Sequence, residues 1–411
     1  MDEPTAERYL GDGAFRRGVL ERSLWRPDLP YSRSLLASYA LGDAGWDLLS
    51  PMTELTALVT RADSEALQAG RALSLDDAEP VAGAGSDVDA LPSDEAAWVA
   101  LGKRVFERLP MRPDGFLRYL VGTPEIWQRV GIRERADGTL RGIVKYRDVR
   151  GDVRVGLTCA LCHASPSDDA ALAAAPALQR NGDSINGRAD RGLDLGLARA
   201  LASEASGVSA DPRLRSWGAG RVDVTDDGVN TPTAVPDLWA MPYKTHLNHS
   251  GVIKIVSPAT SAVRFETQYV LGHRMETRPR RALTWALSRY IAALQPPAPP
   301  SAPSVPPSAE LARGKALFGE RCASCHRPDR GFAGEMVLAS QLMHDPAVAT
   351  TPERGTGYYK VPSLVGVRYG APYLHDGSEP TLASLLERGH PRGRAISGDD
   401  QRALIAYLET L

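Results

Sequence analysis

Apolar residues along this chain recur mainly at helical spacing, and the places where that rhythm breaks divide it. Parts of residues 13–41 and residues 52–73 read as helices. Two further helix starts carry a Gly-Lys pair, Leu101-Gly102-Lys103-Arg104-Val105-Phe106 and Arg313-Gly314-Lys315-Ala316-Leu317-Phe318. Two closing helices resemble each other, Leu287-Ser288-Arg289-Tyr290-Ile291-Ala292-Ala293-Leu294 and Leu404-Ile405-Ala406-Tyr407-Leu408-Glu409-Thr410-Leu411. Residues 144–157 depart from the pattern and read as a β-hairpin turning at Arg150-Gly151-Asp152. Periodicity stops at 79–92, where Ala, Gly, Ser, Asp and Pro dominate. It stops again at 295–307, a proline-rich run that can be neither helix nor central strand and should extend as polyproline II. The predicted architecture is therefore mainly α with few short strands: a mostly helical extension over 1–95, a first domain over 96–295, a Pro-rich linker over 296–308 and a second domain over 309–411.

Composition places all of this in the globular class, with 43% hydrophobic and 24% charged residues over 411 positions, enough for two or three domains. The formal charge of -2 is unevenly spread, because residues 1–95 hold eighteen acidic and eight basic side chains. Such asymmetry can steer a charged redox partner, but an ordinary solvated surface is the favoured reading. No basic stripe points to nucleic acid, and no run of about 18 apolar residues points to a membrane span.

All four cysteines fall in two copies of one motif, Cys159-Ala160-Leu161-Cys162-His163 and Cys322-Ala323-Ser324-Cys325-His326. That spacing tethers a c-type haem by two thioethers and offers its iron the adjacent histidine. A redox dithiol or a zinc knuckle would use the same cysteines but would not need the histidine twice. Two covalently bound haem c groups are expected, on Cys159, Cys162 and His163 and on Cys322, Cys325 and His326. Haem attachment to this motif takes place outside the cytoplasm in bacteria. The expected location is therefore periplasmic or extracytoplasmic, with an export signal or lipid anchor removed.

Two such motifs suggest duplication, and a repeat does emerge. After each motif comes Thr231-Pro232-Thr233 or Val361-Pro362-Ser363, then Leu247-Asn248-His249-Ser250-Gly251 or Tyr373-Leu374-His375-Asp376-Gly377, then Gly272-His273 or Gly389-His390 and the closing helix. Two tandem cytochrome c-like domains account for this order. His273 and His390 stand equally far before the ends of the two halves and are the preferred sixth iron ligands, with helix-cap histidines as the other reading. Met275, His249 and His375 are the alternatives, and Met336 and Met343 are rivals for the second iron. His246 and His344 lack counterparts and read as structural or surface residues.

From Lys360 to Gly377, with Thr381-Leu382 beyond, the chain resembles the bacterial di-haem cytochrome c peroxidase superfamily, which also contains enzymes that oxidise protein side chains. The resemblance implies two mostly helical haem domains meeting near a shared interface. It does not cover 1–95. Peroxidases of that family commonly supply a methionine to the second iron after the Thr-Leu helix, where this chain has Glu387-Arg388-Gly389-His390. The family also sometimes binds calcium between domains, for which Asp223, Asp226, Asp227 and Asn230 offer oxygen ligands, an Asp-Asp-Gly turn being the other reading.

Coordination decides the function, because an iron with two strong protein ligands shuttles electrons and an open one admits peroxide or oxygen. The leading expectation is electron transfer between the haems and a small redox protein or other donor or acceptor. The alternatives are a peroxidase reducing hydrogen peroxide and, further off, an oxygenase of the di-haem rubber-cleaving kind. In a peroxidase, Glu266 or Gln268 is the candidate acid-base group, against an exposed helix face as the other reading. Trp217 and Trp239 are candidates for relaying electrons, against core anchoring.

Overall fold

A computed structural model of the protein describes residues 5–39, 42–85, 90–113, 115–167, 169–225, 227–298 and 308–411. Most of the expected Pro-rich linker, and Asp226, lie outside the described residues.

Two helix crossings organise the molecule. In the first half, helix Glu95–Arg108 crosses helix Arg281–Ala293, and in the second, helix Ser308–Arg321 crosses helix Gly398–Leu408. Gly102 and Gly314 are the contact points rather than helix starts as expected. A Cβ on Gly102 would stand 2.0 Å from the Ala286 carbonyl oxygen, and one on Gly314 would stand 2.0 Å from that of Ala403. Only hydrogen at these positions lets the two backbones approach so closely. One turn on, Phe106 meets Tyr290 and Phe318 meets Tyr407, each pair with ring centroids 5.5 Å apart.

The hairpin expectation holds, and its first strand begins earlier than foreseen. Thr139–Arg147 and Val153–Leu157 pair antiparallel from Ile143↔Leu157 to Arg147↔Val153, within a five-stranded antiparallel sheet. The sheet is completed by Arg112–Pro113 beside Val153–Leu157, by Leu55–Thr60 beside Thr139–Arg147, and by Glu79–Pro80 on the outer edge. The reading of 52–73 as helix is therefore corrected: strand Leu55–Thr60 comes first and helix Arg61–Gln68 follows. A short apolar run suits either period, and pairing with Thr139–Arg147 selects the strand. Thr60 then closes a capping box with Asp63 and turns the chain into the helix.

Helices from the described part of 1–95 pack into the first half. Tyr9, Val19, Leu20 and Leu35, from helices Ala6–Gly11, Gly13–Ser23 and Pro30–Tyr39, share one buried cluster with Val263 and Trp285. The second half has its own smaller core around Phe318, Leu382, Leu386, Leu404 and Leu408.

The two halves meet at a reciprocal seam. The Lys360 N–H donates to the His249 carbonyl at 3.1 Å, and the Ala234 N–H donates to the His375 carbonyl at 2.8 Å. Lys360 stands to His375 along the chain as Ala234 stands to His249, so each half makes the same bond to the other. Backbone detail follows the same correspondence. Ala240 and Gly366, each with positive φ, precede short 3-10 turns, and Asn248 and Leu374, also with positive φ, precede the two His-x-Gly turns. This corrects one alignment in the repeat: the partner of Val361-Pro362-Ser363 is Val235-Pro236-Asp237, not Thr231-Pro232-Thr233.

Candidate haem-binding sites

The first Cys-x-x-Cys-His forms helix Cys159–His163, seated directly on the sheet. Gly142, with φ 71°, lies under it, and a Cβ there would stand 2.1 Å from the Leu161 nitrogen. The Thr158 N–H, donating to the Gly142 carbonyl at 2.9 Å, fixes the start of this helix. Cys159 and Cys162 are not joined to each other, and burial pushes both thiols up to about 12. A redox dithiol needs the opposite shift. His163 donates from Nδ1 to the Pro236 carbonyl at 3.0 Å, which leaves Nε2 free as a metal ligand. Burial holds its ring down to about 4, in the neutral form that ligation requires.

The second motif repeats this logic on a tight turn, with the His326 N–H donating to the Cys322 carbonyl at 2.9 Å. Burial pushes the Cys322 thiol up to about 11. His326 presents Nδ1 to the carbonyls of Phe332 and Pro362, each at 3.2 Å. Pro236 and Pro362 are thus equivalent, each carbonyl fixing the tautomer of its own histidine. Sequence reasoning had missed the role of Pro236 by aligning the wrong Thr-Pro pair.

On the far side the halves diverge. The His390 ring faces His326 with centroids 6.5 Å apart. Its Nδ1 lies 3.0 Å from His344 Nε2, and these two rings stack at 5.1 Å and 13°. Burial, then the neighbouring His344 and His326, lowers His390 to about 3. His273 does otherwise. It caps helix Ala259–Gly272 and donates from Nε2 to the Pro110 carbonyl at 3.0 Å, beside Tyr146. Its Nε2 is therefore occupied, and His273 caps the end of the helix before the closing one, not the start of the closing helix as the other reading expects. Among the described residues, no second histidine ring faces His163 as His390 faces His326.

The remaining candidates separate cleanly. Met275 is turned outward, as is Met343, while Met336 lies against Gly251 across the seam. His249 donates from Nε2 to the Ala234 carbonyl, and His375 stacks on Tyr359 with its Nε2 3.2 Å from the hydroxyl, so each ring is engaged within its own half while the backbone carbonyl of the same residue bonds across the seam. Glu266 is fully buried, which overturns the exposed-face reading. Its carboxylate accepts from the hydroxyls of Tyr9 and Tyr39, with Arg281 3.8 Å away, so it anchors the amino-terminal helices. Gln268 donates to the Met111 sulfur at 2.6 Å. Trp217 is a core anchor whose indole donates to Asn230, whereas Trp239 meets Tyr369 of the other half at 6.3 Å.

For calcium, the Asp223 and Asp227 oxygens are already taken by backbone N–H groups of Thr225, Thr231, Val229 and Glu353. No cluster of three or more metal-ligating side chains occurs among the described residues. The turn reading fits Asp223 and Asp227.

Electrostatics at the seam suit an anionic guest. Lys244 and Lys360 are half-buried, and burial lowers them to about 8 and about 7. Neither ammonium has a carboxylate within salt-bridge range among the described residues. The carboxylates of a haem would supply that charge.

Residues 357–395 match a family model described as RoxA-like, cytochrome c-like. The match spans the Lys360 to Gly377 segment together with His375 and His390, and it supports a c-type haem. Among solved structures, the hydrazine synthase of Kuenenia stuttgartiensis under xenon pressure is 18% identical, covering 48% of this chain and 78% of its own, with a TM-score of 0.33. A MauG-like protein associated with microbial copper homeostasis is likewise 18% identical, over 47% and 78%, with a TM-score of 0.30. Likenesses this distant constrain neither fold nor chemistry. No curated protein matches the chain. No helix among the described residues is long and apolar enough to cross a membrane.

Proposed function

We propose that this protein is a di-haem c-type redox protein whose second haem relays electrons and whose first keeps a face accessible to a small oxidant. The observation that carries the reading is the contrast between His390, 6.5 Å across from His326, and His273, whose Nε2 is spent on the Pro110 carbonyl. Bound here, haem c supplies one-electron chemistry at iron and, where no second strong protein ligand is present, a position for peroxide or oxygen.

The protein's own residues divide the work. Cys159, Cys162, Cys322 and Cys325 provide the tethers. His163 and His326 offer Nε2, each oriented by a proline carbonyl. His390 closes the second site. Trp239 and Tyr369, in edge contact across the seam, lie on a route between the halves. Hydrogen peroxide fits this arrangement as oxidant, and a small redox protein outside the cytoplasm fits as electron donor.

The deciding measurement is electron paramagnetic resonance on the fully oxidised and half-reduced protein, with haem quantified. The expected result is one low-spin and one high-spin ferric population, with hydrogen peroxide altering the high-spin signal only. Two low-spin irons in both states would leave a pure electron carrier.

A further inference from the structure

His344 has no counterpart in the first half, yet its loop is built around His390. The Met343 N–H donates to the Pro391 carbonyl at 3.1 Å, tying this loop to the residue after His390. Asp345 is held from the other side, its carbonyl accepting from the Tyr359 hydroxyl at 2.6 Å. Between these two fixed points His344 brings Nε2 to 3.0 Å from His390 Nδ1, with the rings nearly parallel.

Chemistry assigns the direction of that bond. An imidazole that ligates through Nε2 carries its proton on Nδ1, so His390 must donate and His344 must accept. A hydrogen-bond acceptor behind a ligating histidine fixes the ring's rotation and raises its basicity. His326 receives the same service from two backbone carbonyls, which no substitution removes. His390 depends on a side chain.

We propose that His344 is a positioning residue of the second site, holding His390 Nε2 toward His326 and strengthening its donation to the iron. This rests on the reading of His390 as sixth ligand, so the experiment includes a variant for each. In the full-length protein carrying its haems, His344→Leu removes the acceptor, His344→Gln retains one, and His390→Gly removes the ligand. Electron paramagnetic resonance and a redox titration of the second haem are recorded for each.

The expected outcome for His344→Leu is a ligand held roughly 10- to 100-fold more weakly, seen as a high-spin fraction and a potential raised relative to the parent. His344→Gln should recover most of the parent spectrum, which mere loss of packing would not explain. Unchanged low-spin g values and potential in His344→Leu, with His390→Gly turning high-spin, would overturn the role of His344 alone. A low-spin second haem persisting in His390→Gly would remove the ligand reading and this inference together.

Discussion

The two halves share a frame and differ in what stands opposite the tethered histidine. Gly102 and Gly314 make the same close crossing, Pro236 and Pro362 make the same bond to an imidazole, and the seam contacts are interchangeable. Yet the histidine before the closing helix faces the motif histidine in one half and a backbone carbonyl in the other. Equivalence in sequence therefore specifies position along the fold, while the packing around a side chain decides its chemistry. In the first half the five-stranded sheet brings Pro110 against His273. The second half has no such sheet among its described residues, and there the loop carrying His344 reaches His390 instead.

The sharpest way to break this contrast is to exchange ligands. His390→Gly should convert the second haem fully from low to high spin, whereas His273→Ala should leave both spin states as they were. The second change should cost about 1–3 kcal/mol of stability by stranding a buried carbonyl, read from a denaturant melt. A changed low-spin signal in His273→Ala would erase the asymmetry.

Next come the helix crossings, where the halves should respond alike. Gly102→Ala and Gly314→Ala each force a Cβ onto a backbone carbonyl, and each should lower stability by about 1–3 kcal/mol or more, measured by thermal unfolding. A neutral effect in only one half would mean that its crossing is looser than its twin.

Glu266→Gln addresses the part of the first half that has no twin. Weakening the anchor beneath Tyr9 and Tyr39 should cost roughly 1–3 kcal/mol and speed proteolysis within the first forty residues. The haem spectra should stay constant, and a spectral change would return Glu266 to the reaction site.

The effect smallest at neutral pH is one that appears only on acidification. Burial, then the charge of Lys360, holds His249 down to about 3, against an ordinary value near 6.5. Between those values the unfolded chain binds a proton that the native one refuses, so stability falls as pH drops from about 6.5 toward 3. The slope reaches roughly 1.4 kcal/mol per pH unit. His249→Gln, which keeps a donor for the Ala234 carbonyl, should flatten this part of the pH profile in denaturant titrations.

What the sequence made legible was whatever depended on neighbours along the chain. The Cys-x-x-Cys-His turns, the crossing helices and the hairpin at Arg150-Gly151-Asp152 are all local patterns. His390 was legible only through the repeat, and the same repeat put His273 forward because register cannot reveal a carbonyl from Pro110. Strand Leu55–Thr60 read as helix because its partner lies far along the chain at Thr139–Arg147. Glu266 was hidden for the same reason, its hydroxyl partners coming from Tyr9 and Tyr39. His344 left no signal at all, since a residue without a counterpart gains meaning only from the ring it touches.

The reciprocal bonds at the seam carry a consequence for assembly. A pairing in which each surface donates what the other accepts has the logic of a two-fold dimer, here enclosed in one chain. Such a contact is closed: once Ala234 has met His375 and Lys360 has met His249, neither half has that surface left for a third. The fused pair cannot grow into a filament through this face, and any partner must dock elsewhere.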